Sequence, residues 1–358
     1  MWSTKINPAD VPRPNKYVKN FKPMNKAQKI EATKLAIAEC VFKKEQRHFL
    51  DFNFHNCTPF AQEFTELMCI MEELCPRSGL DFVKRIGSLQ GESRSTYEQI
   101  VQALCELVIA KKFLDSYPVE QGFKLHWEPT ENTKANPEFM IEGKDWRLLV
   151  EVKCPSLHDY DTKNQAAAYQ VTARLPGVRE IMMSVGGEEP ALPLDNKVKD
   201  FLVSAEKKFS SFSDGVVPTY GLLVICWGER MFEAVTPLSN EACGLLKEPS
   251  YFEKNGAKVR FLRVSGVVVT QHQHFAQQML AGHTPDHQKS CLHFGQYWEF
   301  NTPPNPVFLS NTYATRPLPK EFKDVLQTVN AGESLDPIAN IMESVMWLHR
   351  PGMDQGME

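Results

Sequence analysis

Two glutamates and a lysine in the middle of the chain are the residues whose types and spacing best suit chemistry. Glu138 follows Pro137, and after twelve intervening residues Glu151 and Lys153 flank a single valine. Carboxylate oxygens are the hard ligands that Mg²⁺ prefers, and a lysine can orient or polarise a nucleophilic water or a phosphate. The three side chains together therefore indicate metal-assisted chemistry at a phosphate.

Two strands and a turn must position these residues. The apolar runs 139–141 and 148–150 flank the polar segment 142–145, and Gly and Asp in that segment suit a turn. The pattern predicts a β-hairpin in which Glu138 begins one strand and Glu151 lies in the other. The hairpin would bring the two carboxylates together at one edge of a sheet.

The alternation of side chains along a strand predicts which residues share a face. Leu149, Glu151 and Lys153 are expected on one face, and Val150 and Val152 on the other. A plain surface hairpin with ordinary charged residues is the alternative interpretation.

This stretch resembles the signature of the PD-(D/E)XK nuclease superfamily, the restriction-endonuclease-like fold. The match is Pro137-Glu138, twelve residues, then Glu151-Val152-Lys153, with Glu138 where the family usually has aspartate. The resemblance implies an α/β fold, a mixed sheet flanked by helices, with Glu138, Glu151 and Lys153 as catalytic residues. It implies Mg²⁺ as cofactor, with Mn²⁺ as a substitute, and DNA as the usual substrate.

The resemblance also assigns roles to two flanking helices. A helix predicted over 95–114, with Ser95 and Glu98 as a capping box, would give the metal a third carboxylate from Glu106, or alternatively from Glu98. A second helix, predicted over 164–175, would carry Gln165 and Tyr169 on one face, similar to the QxxxY motif of RecB-like nucleases. Both helices have a simpler interpretation as solvated or half-buried surface.

The remaining patterns predict a nuclease-like domain between two other regions. Residues 1–94 are expected to form an extended arm and helices, including 25–49 and 59–74, and residues 95–300 to form the nuclease-like domain. Buried strands are predicted at 221–227 and 259–269.

Two further segments complete this division of the chain. Residues 301–358 are expected to be a Pro-rich connection and a tail with a helical patch at 338–348. The helix predicted over 195–209 carries four lysines, among them Lys207 and Lys208. They are interpreted mainly as a solvated face and alternatively as phosphate contacts.

Composition limits the remaining function classes. The chain has 358 residues and a net charge of −4, which gives no support to non-specific nucleic-acid binding. No apolar run approaches the ~20 residues of a membrane span, and the first residues do not have a secretory pattern. Nine scattered cysteines without a CxxC pair predict free thiols in a reducing cytoplasm and argue against a zinc ribbon.

Two functions follow as expectations. The first is a metal-dependent nuclease acting on DNA, in restriction, phage defence or mobile-element biology as the resemblance implies. The alternative is a catalytically inactive scaffold of the same fold that binds nucleic acid or a protein partner; a homo-oligomer is also left open. Glutamate at position 138 and the acidic net charge favour the alternative.

Overall fold

A computed structural model describes most of the chain, and every structural statement below concerns those residues. The described ranges are 25–41, 47–129, 135–164, 167–174, 176–187, 189–212, 217–282, 290–294, 305–331 and 345–347. The predicted N-terminal arm and Gln165 lie outside them. Side chains are not described for Lys26, Cys40, Asp161 and residues 345–347.

The helices lie mainly in the first third of the chain and between the later strands. In chain order they are α1 (Lys26–Val41), α2 (Asp51–His55), α3 (Pro59–Leu74), α4 (Ser78–Gly87), α5 (Arg94–Ser116), α6 (His158–Lys163), α7 (Val178–Gly186), α8 (Asp195–Phe209), α9 (Phe232–Ser239), α10 (His272–Leu280) and α11 (Lys320–Val325).

The strands begin after α5. They are β1 (Lys124–Trp127), β2 (Phe139–Glu142), β3 (Arg147–Lys153), β4 (Tyr169–Val171), β5 (Thr219–Cys226), β6 (Glu253–Lys254), β7 (Ala257–Lys258), β8 (Gly266–Thr270), β9 (Val307–Ser310), β10 (Val329–Asn330) and β11 (Val345–Trp347).

A seven-stranded mixed sheet organises the described part of the chain. Its strand order is β1-β2-β3-β5-β8-β9-β10. The β1-β2-β3 meander is antiparallel, β3, β5 and β8 run parallel, β9 is antiparallel to β8, and β10 is parallel to β9. The protein is therefore of the α/β class, with helices on both faces of a mixed sheet.

The two faces of the sheet pack against different helices. Val150 and Val152 join a core with apolar residues of α1, α3, α4, α5 and α10. Leu149 joins the opposite core, which α8 and α9 cover. The predicted alternation along β3 is confirmed, because its odd and even positions lie in separate cores.

Several sequence predictions are confirmed by these elements. The hairpin forms with Phe139 paired to Val150 and Glu142 to Arg147, so the turn spans 143–146. The helices over 59–74 and 195–209 have the predicted bounds, and the 221–227 strand is the buried strand β5. The helix predicted over 25–49 is confirmed at its start, where Asn25 accepts a hydrogen bond from the backbone N–H of Gln28 at 2.9 Å as an N-cap does. Its predicted end is wrong, because α1 ends at Val41 and residues 47–50 are not helical.

The N-cap of α5 is a different serine from the one that the sequence predicts. Ser93, and not Ser95, accepts from the N–H of Thr96 at 3.1 Å and begins the helix at Arg94. Two serines lie within three residues of each other, so the pattern alone did not distinguish which of them caps.

The helix predicted over 164–175 is wrong. The chain forms the short helix α6 and then the strand β4, whose Tyr169, Gln170 and Val171 pair antiparallel with β11. Local alanine content favours a helix, but pairing with a segment more than 170 residues away decides the outcome. The predicted tail helix over 338–348 is wrong where it is described, since residues 345–347 form β11.

Three further predictions concern the domain boundaries, membrane-spanning segments and the cysteines. Apolar residues of α1, α3 and α4 share one core with the sheet, and the predicted boundaries at 94/95 and 300/301 stay predictions. Among the described helices, none combines the length and apolarity that crossing a membrane requires. The eight cysteines whose side chains are described are free, as predicted.

Candidate functional site

The hairpin places Glu138 and Glu151 side by side. Phe139 pairs with Val150, so extending the antiparallel register by one residue sets Glu138 opposite Glu151. Glu151 is fully buried between β2 and β5, and the Glu138 side chain is 11% exposed. The expectation of Glu151 at a sheet edge is corrected: it lies in an interior strand, near that strand's carboxyl end.

Two lysines bind the buried carboxylate of Glu151. Lys153 places its Nζ 2.6 Å from Oε1 of Glu151. Lys208 donates from Nζ to Oε2 of Glu151 at 2.8 Å and to Oε2 of Glu138 at 3.5 Å, and its Nζ forms an ion pair with Oε1 of Glu151 at 2.7 Å. The ammonium of Lys208 therefore lies between the two carboxyl groups.

Lys208 reaches this position because of how α8 packs. Val198, Leu202, Ala205 and Phe209 form the buried stripe of α8 on the sheet, and Lys208 stands beside the end of that stripe. Its neighbour Lys207 is exposed, as a solvated face predicts. For Lys208 the favoured solvated interpretation is wrong, and its place beside the buried stripe was the signal available in the sequence.

The two carboxyl groups titrate in opposite directions. Burial, then the hydrogen bond and charge of Glu151, raise the pKa of Glu138 well above its ordinary value. Burial also opposes ionisation of Glu151, but the hydrogen bond from Glu138 and the charges of Lys153 and Lys208 outweigh it and lower the pKa of Glu151. Of the two, Glu151 therefore ionises first as the pH rises, and Glu138 keeps its proton to higher pH.

Lys153 keeps its charge in this environment. Burial alone would lower the pKa of its ammonium, but the charges of Glu151, Glu138 and Glu106 together raise it. A charged ammonium can donate to a water or a phosphate oxygen, whereas a neutral amine could instead act as a base.

Glu106 joins the group from α5. It is buried, at 3% exposure, and it acts electrostatically on both Glu138 and Lys153. Its Oε2 lies 2.5 Å from Nη2 of Arg85, and its Oε1 accepts from the amide of Gln102 at 3.1 Å. The structure thus brings Glu106, Glu138, Glu151 and Lys153 together, as the sequence predicts.

Three of the residues that complete the site were not predicted as site residues. Arg85 on α4, Gln102 on α5 and Lys208 on α8 each satisfy one of the carboxylates. Arg85 comes from a helix whose sequence carries no link to the site, so only packing reveals its partner. Glu98, the alternative to Glu106, instead pairs with Arg94 one turn earlier at 3.0 Å.

Tyr169 lies in a different local structure from the one predicted. It is the first residue of β4, and a Cβ added at Gly186 would come within 2.4 Å of its ring. A shared helical face with Gln165 is therefore not the arrangement, because Tyr169 is extended and Gln165 is outside the described residues. Substrate contact by either residue stays a prediction.

A cleft of about 570 Å³ opens at the carboxyl ends of the parallel strands. Its lining includes Leu157, Gly228 and Gln273, which follow β3, β5 and β8 respectively, together with Arg94 and Arg230. Clefts at the carboxyl ends of parallel strands are the usual ligand sites of open α/β sheets. Its lining does not include Glu106, Glu138, Glu151 or Lys153, and Leu157 lies four residues after Lys153.

Comparison of the chain with protein-family models, with curated proteins and with solved structures gave no match.

Proposed function

We propose that this protein is a metal-dependent nuclease of the PD-(D/E)XK type, with a restriction-endonuclease-like core. One observation carries the proposal: Glu138 and Lys153 both converge on the buried carboxylate of Glu151, and Glu106 acts on the same group from a separate helix. Three acidic side chains and a lysine from three elements are a donor set suited to metal-assisted phosphodiester hydrolysis.

The residues fit a divalent cation. The ammonium of Lys208 already lies between Glu138 and Glu151, so positive charge is favoured at this position. Carboxylates of Glu138 and Glu151, with Glu106 nearby, would hold Mg²⁺ or Mn²⁺ through hard oxygen ligands. When bound, the ion supplies Lewis-acid polarisation of a phosphate oxygen.

The side chains of the chain itself have separable tasks. Glu151 fixes the ammonium of Lys153 at 2.6 Å, so that its remaining N–H groups can orient a water or a non-bridging phosphate oxygen. Glu138 would hold the cation together with Glu151, and it would do so as a carboxylate. The cleft at the carboxyl ends of the parallel strands carries Arg94 and Arg230 beside Glu229 and Glu233, and the two arginines would contact the backbone of the expected substrate, DNA.

The decisive experiment compares two glutamates of the same hairpin. Glu151→Gln should reduce Mg²⁺-dependent cleavage of single- and double-stranded DNA and RNA to background. Glu142→Gln, at the other end of the hairpin, should leave cleavage unchanged. Equal cleavage by both variants, or no cleavage by the wild-type protein on any substrate with Mg²⁺ or Mn²⁺, would contradict the proposal.

The second candidate is the catalytically inactive scaffold, and the position of Lys208 favours it. An ammonium that satisfies both carboxyl groups can replace the metal altogether. Lys208→Met separates the two functions, with the exposed Lys207→Met as control. A nuclease should bind Mg²⁺ more tightly once the competing ammonium is removed, whereas a scaffold should lose stability and gain no metal binding.

A further inference from the structure

Three cysteines from distant parts of the sequence lie close together on the face of the sheet that α5 covers. Cys105 lies on α5, Cys154 directly follows β3, and Cys226 ends β5. Their sulfur atoms all lie within 4.8 Å of one another. Among the described cysteines none is in a disulfide, so the three sulfurs are available as thiols.

This trithiol cluster lies inside the protein, and of the carboxylates Glu106, which follows Cys105 on α5, acts electrostatically on Cys154. Cys105 and Cys226 are fully buried in the core that α5 covers, and Cys154 is packed against the same core. Lys153 and Cys154 are consecutive, so their side chains leave β3 in opposite directions. The cluster thus lies across the sheet from Lys208 and α8.

The sulfur spacing suits a metal ion. A tetrahedral zinc ion with Zn–S bonds of about 2.3 Å separates two sulfurs by about 3.8 Å. A disulfide requires about 2.05 Å between two sulfurs and leaves the third one out. Three sulfurs within 4.8 Å need only a small contraction to bind one ion together.

We propose that Cys105, Cys154 and Cys226 bind one thiophilic d¹⁰ metal ion, Zn²⁺ or Cu⁺. Soft thiolates select these ions over Mg²⁺ and Ca²⁺, which prefer oxygen. Three thiolates satisfy a three-coordinate Cu⁺, and they leave Zn²⁺ one further position for a non-protein ligand. Each thiol that becomes a ligand releases its proton to solvent, and no electron is transferred.

A bound ion would join α5, the end of β3 and β5, and two of these elements, α5 and β3, also carry the carboxylate site. α5 supplies Glu106 and β3 supplies Glu151 and Lys153, so a metal that connects Cys105 to Cys154 would fix their separation. The ion is structural in this proposal and takes no part in hydrolysis. The proposal therefore stands or falls independently of the nuclease function.

The experiment titrates metal-free, reduced, full-length protein with Zn²⁺ and, separately, with Cu⁺ against a competing chelator. We expect one equivalent of at least one of these ions to bind, and Co²⁺ to give a thiolate charge-transfer band. Cys154→Ser should weaken binding at least 100-fold. Cys243→Ser, a buried cysteine outside the cluster, should bind like the wild type.

A readout on the wild-type chain avoids dependence on a variant that does not fold. Bound metal should protect Cys105, Cys154 and Cys226 from alkylation in unfolding-permissive conditions, measured by mass spectrometry, while the partly exposed Cys57 and Cys75 react at unchanged rates. Failure of both ions to bind, equal binding by Cys154→Ser, or uniform alkylation with and without metal would each overturn the proposal.

Discussion

The two faces of β3 carry side chains of opposite chemical character within a few residues. On one face Glu151 and Lys153 are charged and hold each other, with Lys208 and Glu138, through ion pairs and hydrogen bonds. On the other face Val152 and Cys154 pack into a core that contains the thiol groups of Cys105 and Cys226. The first face is suited to hard cations and anions, the second to soft ions.

The difference also predicts how the stability of the protein responds when a residue on each face is substituted. On the charged face every group depends on a partner of opposite sign, so removing one leaves a charge that is poorly solvated. On the thiol face the groups are small and weakly polar, so removing one leaves mainly a small cavity. Four substitutions, taken from the largest expected effect to the smallest, can break or sharpen this comparison.

Glu151→Ala should cause the largest loss of stability. It leaves Lys153 and Lys208, each about four-fifths buried, without their common carboxylate, which should cost about 3 kcal/mol of unfolding free energy. Glu151→Gln, which keeps the volume and a hydrogen-bond acceptor, should cost less. Urea unfolding of both variants measures this, and a cost for Glu151→Ala below about 1 kcal/mol would show that the charged face does not depend on its ion pairs.

Lys153→Met should affect activity more than stability. The change removes the ammonium but keeps a chain of similar length. Under the proposed nuclease function, loss of a donor to the reacting phosphate should lower turnover about 100-fold, or about 2.7 kcal/mol. The matched control is Lys124→Met on β1, where the lysine pairs with Glu142 at 3.2 Å. Equal turnover rates in single-turnover assays of the two variants would remove Lys153 from the chemistry.

Glu138→Gln should change how stability depends on pH. The pKa of Glu138 is raised in the folded protein, so its contribution is fully present below its unfolded pKa and is lost as the pH rises through its folded pKa. Glutamine does not titrate. The unfolding free energy of the variant should therefore rise relative to that of the metal-free wild type, by about 1.4 kcal/mol per pH unit between the unfolded and the folded pKa of Glu138.

Thermal melts in EDTA from acidic to mildly alkaline pH measure the difference between the two proteins. Glu142→Gln is the control of opposite sign. Burial opposes ionisation there, but the hydrogen bond and charge of Lys124, with His126 and Arg147, lower the pKa of Glu142. A difference between Glu138→Gln and wild type that does not vary with pH would mean that Glu138 is already ionised.

Cys226→Ala should have the smallest effect in metal-free protein, about 1 kcal/mol of unfolding free energy. The substitution leaves a cavity of one sulfur atom and no unpaired charge. Chemical denaturation of the apo-protein measures it. A cost as large as that of Glu151→Ala would end the contrast between the two faces, since it would require the thiols to be coupled as strongly as the charged groups.

The features that the sequence predicts correctly depend on interactions between residues that are close together along the chain. The hairpin, its register and the long helix α5 depend on turn chemistry and apolar periodicity within about twenty residues, and these patterns were sufficient. The helix predicted over 164–175 failed because β4 pairs with β11, and no local pattern reports a partner so distant. The sequence does not predict the ion pairs of Lys208, because a lysine beside an apolar stripe can point to solvent or to a buried carboxylate.

The sequence by itself determined the identity and order of the acidic and basic groups on β2 and β3, because alternation along a strand and one short turn fix their neighbours. Only the tertiary structure decided which helix residues complete the set. Arg85, Glu106 and Lys208 arrive through the packing of α4, α5 and α8, and the trithiol cluster forms from residues separated by tens of positions. The physical reason is that helix packing depends on the summed burial of many apolar side chains, and the polar groups beside those stripes meet as a consequence of it.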